Sequence, residues 1–333
     1  MIISKTPYRI SFFGGGTDFP EWYNENKGLT ISTTIDYHLY ITVRYLPSFF
    51  KNINYRISYS KTENVKKLNQ IKHKAIREYL KYIKLNKPLE LHIDSDLPAR
   101  SGLGSSSAFI VGLINSLSNL FGISKKATDL YQEAIEFEQN ILNEFCGSQD
   151  QIITAIGGLK KIDYSNNKIN VKSLKITNSR KKKIENSLVL FFTGFSRKTS
   201  NIEEKKIKLI SQNKKKYEDI YSLALEAKKI FENERSNIDE IAKLLDESWK
   251  IKKRLSKNVS NSKIDSLYEH AIKSGAKGGK IIGAGNGGFF MFYVNPDKKK
   301  KLITSMKKLL YVPVKFTNEG SKIIYKLDEK IKV

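Results

Sequence analysis

A run of glycine and serine residues that leads directly into an apolar helical pattern constrains this chain more than any other feature. Residues 98–108 read Pro-Ala-Arg-Ser-Gly-Leu-Gly-Ser-Ser-Ser-Ala, and apolar residues then recur at helical spacing up to residue 120. Gly102 and Gly104 permit a tight turn and a close backbone approach to a ligand, and the N–H groups that open a helix attract anions. We therefore predict a phosphate-binding loop. Its serines could cap the helix or contact a phosphate-bound metal, and a plain tight turn with Ser105 as N-cap is the alternative.

The length of the chain predicts two domains that share a cleft, because 333 residues exceed a usual single core. Its composition, with 40% hydrophobic and 11% aromatic residues, is that of a globular protein rather than a disordered or fibrous one. No run approaches the roughly 18 apolar residues of a membrane helix. The start of the sequence lacks the basic, apolar and cleavage regions of a signal peptide. We therefore expect a cytoplasmic protein with no membrane partner.

Cysteine and histidine usage argues against disulfides and against a zinc site. The single cysteine, Cys146, cannot form an intramolecular disulfide, which fits a reducing compartment. The four histidines are scattered at positions 38, 73, 92 and 270, and no two share one helix face as metal ligands do. A mechanism centred on histidine is therefore not expected.

The net charge of +25 raises the question of nucleic-acid binding. Most of the positive charge is lysine in short runs, such as residues 180–183, 214–216 and 298–301, which are typical of solvated faces. These runs lack interleaved aromatic residues, and no helix-turn-helix, zinc-finger or RNA-binding motif accompanies them. We therefore expect no specific nucleic-acid partner. The charge remains compatible with anionic metabolites as ligands.

Hydrophobic periodicity predicts an α+β fold in two halves. Strands are predicted at residues 2–13, 38–45, 89–94 and 188–193, followed late in the chain by two strands around a second glycine-rich loop. Helices are predicted at residues 65–84, 127–143, 198–232, 238–256 and 264–274. The polar, basic stretch 159–187, with short strand-like pieces, is the expected boundary region. We assign residues 1–183 to the first domain and residues 184–333 to the second.

The amino-terminal motif places three glycines and an acid at the end of a predicted strand. Residues 7–18 read Pro-Tyr-Arg-Ile-Ser-Phe-Phe-Gly-Gly-Gly-Thr-Asp. Asp18 could bind hydroxyl groups of a sugar, or it could close an Asx-turn. Arg9 on the same strand could be a fixed cation beside a transferred phosphate, or an ordinary surface arginine.

Two further elements complete the set of motifs. Glu138 lies near a helix end and Asp150 follows twelve residues later, so that one carboxylate could hold Mg²⁺ and the other could deprotonate a hydroxyl nucleophile. Acidic residues that simply flank a helix end are the alternative. Residues 275–289 contain seven glycines, which predicts a hairpin in close backbone contact beneath the active site, or else a simple glycine-rich turn.

In this order, the four elements resemble those of the GHMP small-molecule kinases. The resemblance spans residues 5–289, and no Walker A or protein-kinase motif offers another phosphoryl-transfer scaffold. The segment Arg-Ile-Ser-Phe-Phe-Gly-Gly-Gly-Thr-Asp looks most like the branch of D-glycero-D-manno-heptose 7-phosphate kinases and fucokinase-like enzymes. Galactokinases carry Gly-Glu-His-Thr-Asp there. Gly15 and Gly16 stand where the Glu and His would be, which argues against galactose as the substrate.

The resemblance implies a fold and a set of site residues. The expected fold is an amino-terminal domain like domain 2 of ribosomal protein S5 and a ferredoxin-like carboxy-terminal domain, with the site between them. Asp150 is the implied catalytic base, with Arg9 beside it, and Ser106 and Glu138 are the implied Mg²⁺ ligands. The residues implied to wrap the phosphates of ATP are Ser101, Gly102, Leu103, Gly104, Ser105, Ser106 and Ser107. The residues implied to contact the acceptor are Gly15, Gly16, Thr17 and Asp18.

Several basic residues bear on how phosphate groups would be bound. Arg100 occupies a loop position where many members of the superfamily have glycine, so it could touch phosphate or alter the approach of the loop. A phosphate on the acceptor needs its own cations. Arg197, which follows a predicted strand, is our first choice, and Lys277 and Lys280 are further candidates. Each of them could equally be plain surface charge.

Three functions stay open at this point. The resemblance favours an ATP-dependent kinase that phosphorylates the anomeric hydroxyl of heptose 7-phosphate, with use of the product in nucleotide-activated heptose synthesis. A kinase of an unphosphorylated sugar such as fucose is the second. A basic nucleic-acid-binding or noncatalytic regulatory protein is the third. The first reading implies ATP, Mg²⁺ and a sugar phosphate as partners.

Overall fold

The computed structural model describes residues 1–99, 101–194 and 200–327. Arg100 and Arg197 therefore lie outside the described residues. The strands are β1 (Ile2–Phe13), β2 (Gly28–Tyr45), β3 (Tyr55–Ser58), β4 (Thr62–Val65), β5 (Leu89–Ser95), β6 (Lys160–Ser165), β7 (Lys168–Ser173), β8 (Leu188–Phe192), β9 (Ala276–Ile281), β10 (Phe289–Val294), β11 (Leu310–Val312), β12 (Phe316–Thr317) and β13 (Lys322–Lys326).

The helices lie between these strands along the chain, singly or in groups. They are α1 (Pro20–Tyr23), α2 (Lys74–Tyr82), α3 (Ser105–Leu120), α4 (Ala127–Glu136), α5 (Gln149–Ile156), α6 (Asn178–Ser187), α7 (Ser200–Lys208), α8 (Lys214–Glu232), α9 (Ile241–Leu255), α10 (Ser262–Lys273) and α11 (Pro296–Ser305). A π-helical turn at Phe137–Ile141 continues α4, and short 3₁₀ turns lie at Leu68–Gln70, Ser211–Asn213 and Ile238–Glu240. In the part of the chain that is described, no helix is both long and apolar enough to span a membrane.

Two mainly antiparallel sheets confirm the predicted α+β class. The larger sheet has the strand order β13-β1-β2-β5-β3-β4, and the long strand β2 also pairs with β6 and β12. The smaller sheet has the order β11-β8-β10-β9. Strands β12 and β13 belong by sequence to the second predicted domain, but they pair with β2 and β1 of the larger sheet. The boundary at residues 183 and 184 stays a prediction, and the end of the chain returns to the first sheet.

Helix α3 is the centre of the first half. Its residues 107–118 are all buried, as expected for a helix that is covered on every side. The backbone of Gly112 lies close to β1, where a Cβ atom would stand 2.9 Å from the hydroxyl oxygen of Thr6. The hydroxyl of Ser4 donates to the carbonyl oxygen of Gly112 over 3.1 Å. This packing fixes the middle of α3 against β1.

The predicted helix at residues 65–84 is wrong in its first half, and Glu63 supplies the physical reason. The Glu63 carboxylate accepts backbone hydrogen bonds from Lys72 at 2.5 Å and from His73 at 3.1 Å. These bonds draw residues 71–73 into an extended connection, so α2 begins only at Lys74. Similarly, the predicted helix at residues 198–232 is divided in two, because a 3₁₀ turn separates α7 from α8.

The two halves of the molecule meet through their glycine-rich loops. The predicted hairpin is present as β9 and β10, and its connecting loop packs on the loop before α3. A Cβ atom on Gly102 would stand 2.5 Å from the carbonyl oxygen of Ile282, and one on Gly288 would stand 2.3 Å from that of Ser101. The backbone N–H of Phe289 also donates to the carbonyl oxygen of Ser101 over 3.0 Å. Glycine is therefore required here by space as well as by positive φ.

Gly288→Ala tests this contact against Gly122→Ala. Both glycines have positive φ, at 88° and 78°, but a Cβ atom on Gly122 would meet no atom of the described residues within 4 Å. Alanine at positive φ costs about 1–2 kcal/mol. We predict that Gly122→Ala lowers the free energy of unfolding in urea by about this amount and that Gly288→Ala lowers it by about twice as much or more. Equal losses would show that the loop contact does not constrain residue 288.

Candidate active site

One cleft between the two halves collects most of the predicted site residues. The first wall comes from β1, the turn after it, the loop before α3, and the segment from the π-helical turn to α5. It presents Arg9, Ser11, Gly15, Gly16, Asp18, Gly102, Gly104, Ser105, Ser106, Ser107, Glu138 and Asp150. The second wall comes from α7, α9 and the β9–β10 hairpin. It presents Glu203, Lys206, Lys252, Lys280 and Gly283.

The glycine-serine loop opens α3 towards the cleft. Gly102 and Gly104 have φ angles of 84° and 77°, as the predicted tight turn requires. Gly104 is the N-cap of α3, and no side chain caps the helix there. The alternative with Ser105 as N-cap is therefore wrong. A glycine N-cap has no side-chain oxygen of its own to offer the first N–H groups, and these lie at the positive end of the helix dipole, which favours an anion.

Three of the predicted contact residues do not line the cleft. Ser101 and Leu103 are fully buried in the loop, where their carbonyl oxygens accept the backbone N–H groups of Phe289 and Arg9, each over 3.0 Å. Thr17 is fully buried in the turn after β1, and its hydroxyl donates to the carbonyl oxygen of Gly14 over 2.8 Å. These residues hold the walls in shape rather than forming their surface.

Arg9 and Asp150 form a bidentate ion pair in the first wall. Arg9 Nε lies 2.7 Å from Asp150 Oδ1, and Nη2 lies 2.5 Å from Oδ2. The third nitrogen, Nη1, donates to the carbonyl oxygen of Gly102 over 2.7 Å. Arg9 is buried, whereas Asp150 is half-buried and faces the cleft. The planar guanidinium thus fixes the Asp150 carboxylate next to the glycine-serine loop.

Glu138 lies in the π-helical turn and is held by three donors. Its carboxylate accepts from the hydroxyls of Ser106 at 3.2 Å and Ser107 at 2.8 Å, and from Gln151 Nε2 at 2.6 Å. Burial raises the pKa of Glu138 to about 7, and the charge of Asp150 adds to this increase, while the hydrogen bonds oppose it. Gln151 was missed by the sequence analysis, where its position next to Asp150 was the available signal.

The oxygens around Glu138 fit a magnesium ion bound together with phosphate. Magnesium in phosphoryl-transfer sites is usually held by one or two carboxylates together with phosphate oxygens and water. Ser106 and Glu138 offer a hydroxyl and a carboxylate within 3.2 Å of each other beside the open end of α3. Among the described residues, no group of three or more His, Cys, Asp and Glu side chains could hold a metal unaided. The donor set therefore suits an ion that arrives with a nucleotide.

Asp18 both closes its own turn and lines the cleft. Its Oδ1 atom accepts the backbone N–H of Gly16 over 2.7 Å, and Oδ2 accepts that of Gln149 over 3.2 Å. A Cβ atom on Gly147 would stand 1.9 Å from Asp18 Oδ2, so only glycine fits beside this carboxylate. Burial raises the pKa of Asp18 to about 6, with a further contribution from Asp150, while the backbone hydrogen bonds oppose the increase.

The two candidate lysines of the hairpin differ in exposure and in their position relative to the cleft. Lys280 lines the cleft and is buried, whereas Lys277 on the same strand is exposed and lies 3.8 Å from Asp239 in an ion pair outside the cleft. Lys206 and Lys252, which the sequence analysis missed, also line the second wall.

Comparison with known proteins settles the family. The family profile for the GHMP kinases N terminal domain matches residues 69–158, and the profile for GHMP kinases C terminal matches residues 225–312. A Campylobacter jejuni protein named D-glycero-alpha-D-manno-heptose 7-phosphate kinase is 33% identical over 96% of this chain and 98% of its own length. The chain belongs to the GHMP kinases.

Solved structures agree with this membership. A putative sugar kinase from Campylobacter jejuni has 29% identity and a TM-score of 0.72, with 97% of each chain covered. A D-glycero-D-manno-heptose 1-phosphate kinase from Bacteroides thetaiotaomicron has a TM-score of 0.79 over 98% of this chain and 99% of its own, at 22% identity, which is a likeness of fold. The two-domain fold expected from the motifs is therefore confirmed for this GHMP kinase.

The raised pKa of Glu138 predicts how the stability of this GHMP kinase changes with pH in the absence of ligands. The folded-state pKa of about 7 exceeds the ordinary value of 4.5, so the folded protein binds this proton more tightly than the unfolded chain does. The contribution of Glu138 to stability therefore decreases as pH rises from about 4.5 to about 7.

We predict that the free energy of unfolding of the natural protein, minus that of Glu138→Ala, falls across this pH interval and is constant above and below it. Denaturant unfolding at a series of pH values measures the difference. The cavity left by alanine adds an offset that does not depend on pH. A difference that is flat or that rises with pH would contradict the assigned environment of Glu138.

Proposed function

We propose that this GHMP kinase is an ATP-dependent sugar kinase that phosphorylates the anomeric hydroxyl of D-glycero-D-manno-heptose 7-phosphate to give the 1,7-bisphosphate. The observation that carries the phosphoryl-transfer chemistry is the Asp150 carboxylate, fixed by Arg9 beside the uncapped start of α3. The choice of heptose 7-phosphate is supported by the name of the Campylobacter jejuni relative, which aligns over nearly the whole of both chains.

In this proposal Asp150 orients the attacking hydroxyl and accepts its proton. A carboxylate has about four acceptor positions. Arg9 occupies one on each oxygen of Asp150, and Gln149 Nε2 donates to Oδ1 over 3.5 Å, which leaves acceptor capacity on Oδ2. The transition state of phosphoryl transfer is loose, so the proton leaves late and correct orientation matters as much as basicity. The fixed guanidinium of Arg9 contributes positive charge close to the transferred group.

The glycine-serine loop holds the phosphates of ATP in the same proposal. Ser105 and Ser106, which begin α3, line the cleft at this point. Ser106 and Glu138 would hold Mg²⁺, which when bound neutralises charge on the phosphate oxygens. Ser107 and Gln151 orient the Glu138 carboxylate from the other side.

The turn after β1 provides the acceptor surface. Gly15 and Gly16 line the cleft next to Asp18, whose carboxylate is positioned to meet sugar hydroxyls. Among the described residues, a Cβ atom on Gly15 would meet only Ser11 Oγ, at 3.6 Å, so their packing does not demand glycine there. The missing side chain instead leaves room in the cleft where galactokinases carry a larger residue, which suits a heptose.

Release of ADP tests the proposed acceptor directly. We predict turnover with D-glycero-D-manno-heptose 7-phosphate and Mg²⁺·ATP, and little or none with the free heptose, fucose or galactose. Turnover confined to a free sugar would retain the kinase chemistry but overturn the acceptor. No turnover with any of the four would contradict the proposed function and favour a noncatalytic role.

Asp150→Asn tests the proposed base. We predict that turnover falls by about 10²- to 10⁴-fold, because asparagine cannot accept the proton, while the affinity for Mg²⁺·ATP is retained. Calorimetric binding of a non-hydrolysable ATP analogue checks the second part. Asp297→Asn, in the first turn of α11 and exposed, is the control and should leave both quantities unchanged. Near-normal turnover of Asp150→Asn would remove Asp150 from the mechanism.

A further inference from the structure

Three lysines on the second wall converge on the cleft from different elements. We call them the lysine cluster: Lys206 on α7, Lys252 on α9 and Lys280 on β9. Lys206 and Lys280 are each only 5% exposed. Lysine is among the residues least often buried, because its ammonium loses hydration, so such a cluster needs a physical reason.

The bonds that hold the cluster do not neutralise it. Lys280 Nζ donates to the carbonyl oxygen of Phe12 over 2.6 Å, and Lys252 Nζ donates to those of Ile281, over 3.0 Å, and Gly283. Carbonyl oxygens orient an ammonium but carry no net charge.

Among the ion pairs of the described residues, a single one involves the cluster, between Lys206 and Glu203 at 3.0 Å. Three basic side chains thus face one acidic side chain. Burial, together with repulsion from Arg9 and Lys206, lowers the pKa of Lys280 to about 7. The same causes, with Lys280 in addition, lower the pKa of Lys252 well below its ordinary value.

The cluster belongs to the second wall of the cleft, whereas Asp150, Ser105 and Ser106 belong to the first. The two walls meet where Gly283 contacts Gly102. Lys280 binds the carbonyl oxygen of Phe12, three residues after Arg9 on β1. The bonds of the cluster go to the carbonyl oxygens of Phe12, Ile281 and Gly283 and to Glu203. The nucleotide phosphates, in contrast, are proposed to lie at Ser105, Ser106 and Glu138. The cleft therefore has two regions suited to anions, one on each wall.

We propose that Lys206, Lys252 and Lys280 form a subsite for a phosphate group that the acceptor already carries. This inference rests on the proposed function and deepens it, because the subsite would distinguish a sugar phosphate from a free sugar. Each ammonium has three donors, and Lys280 uses one of them on Phe12, so the cluster can still donate to phosphate oxygens. A phosphate dianion would supply the negative charge that the cluster lacks. Arg197, the first choice of the sequence analysis for this role, lies outside the described residues, and the proposed subsite does not include it.

Kinetics of Lys206→Met and Lys280→Met test the subsite. We predict that KM for heptose 7-phosphate rises by about 10- to 100-fold in each variant, as expected for loss of a charged hydrogen bond, and that KM for ATP changes less than about twofold. Lys277→Met is the matched control, because Lys277 lies on the same strand as Lys280 but pairs with Asp239 outside the cleft. Thermal unfolding and binding of a non-hydrolysable ATP analogue establish that each variant is folded.

A parallel increase in KM for ATP would overturn the inference and assign the lysines to the nucleotide. Unchanged KM for heptose 7-phosphate in both folded variants would overturn it as well.

Binding of inorganic phosphate separates this inference from the proposed function. The natural protein is first saturated with Mg²⁺ and a non-hydrolysable ATP analogue, so that the glycine-serine loop is occupied. Phosphate binding measured by calorimetry, present in the natural protein and in Lys277→Met but lost in Lys206→Met and Lys280→Met, would support the subsite. Turnover of heptose 7-phosphate without phosphate binding would contradict the subsite alone. Phosphate binding without turnover of heptose 7-phosphate would support the subsite and contradict the proposed acceptor.

Discussion

The bonds of Arg9 join the parts on which the rest of the site depends. Its side chain binds both oxygens of Asp150 and the carbonyl oxygen of Gly102, and its backbone N–H binds Leu103. The register of β1 against β2 shifts between Pro7 and Tyr8, just before Arg9, and such irregularities re-aim side chains next to active sites. One residue at an irregular point of the sheet thus fixes the loop before α3 and the first turn of α5 relative to each other.

Close backbone contact between the two halves is what brings opposite charges to one cleft. Gly283 would place a Cβ atom 2.8 Å from the Cα atom of Gly102, and its carbonyl oxygen accepts from Lys252. Side chains at this junction would separate the walls. The glycines therefore position the lysine cluster relative to Arg9 and Asp150, in addition to allowing the loops their positive φ angles.

The sequence predicted the parts of the site that depend on local order and missed those that depend on tertiary packing. Strand β1 and helix α3 have clear periodicity. The glycine motifs of β1 and of the loop before α3, together with the acids of residues 138–150, resemble those of a known family, so Arg9, Glu138 and Asp150 could be named in advance. Lys206 and Lys252 lie on lysine-rich amphipathic helices, where the sequence alone gives no reason to distinguish a buried lysine from a solvated one. Lys280 reaches Phe12 across 268 positions of sequence, and strands β12 and β13 pair with β2 and β1 across comparable separations. Such contacts have no local signature.

Four buried titratable groups of the cleft are less stable in their charged forms than they would be in water. Glu138 and Asp18 on the first wall have raised pKa values, whereas Lys252 and Lys280 on the second wall have lowered ones. A more stable fold would replace these buried groups with apolar residues, since unpaired buried charge opposes folding. The presence of these groups is explained if charged ligands supply partners of opposite charge. A cation at Glu138 and anions at the start of α3 and at the lysine cluster would each offset the free-energy cost of these buried groups in the ligand-free protein. The binding energy of the ligands would thus act at the groups that surround the reacting hydroxyl.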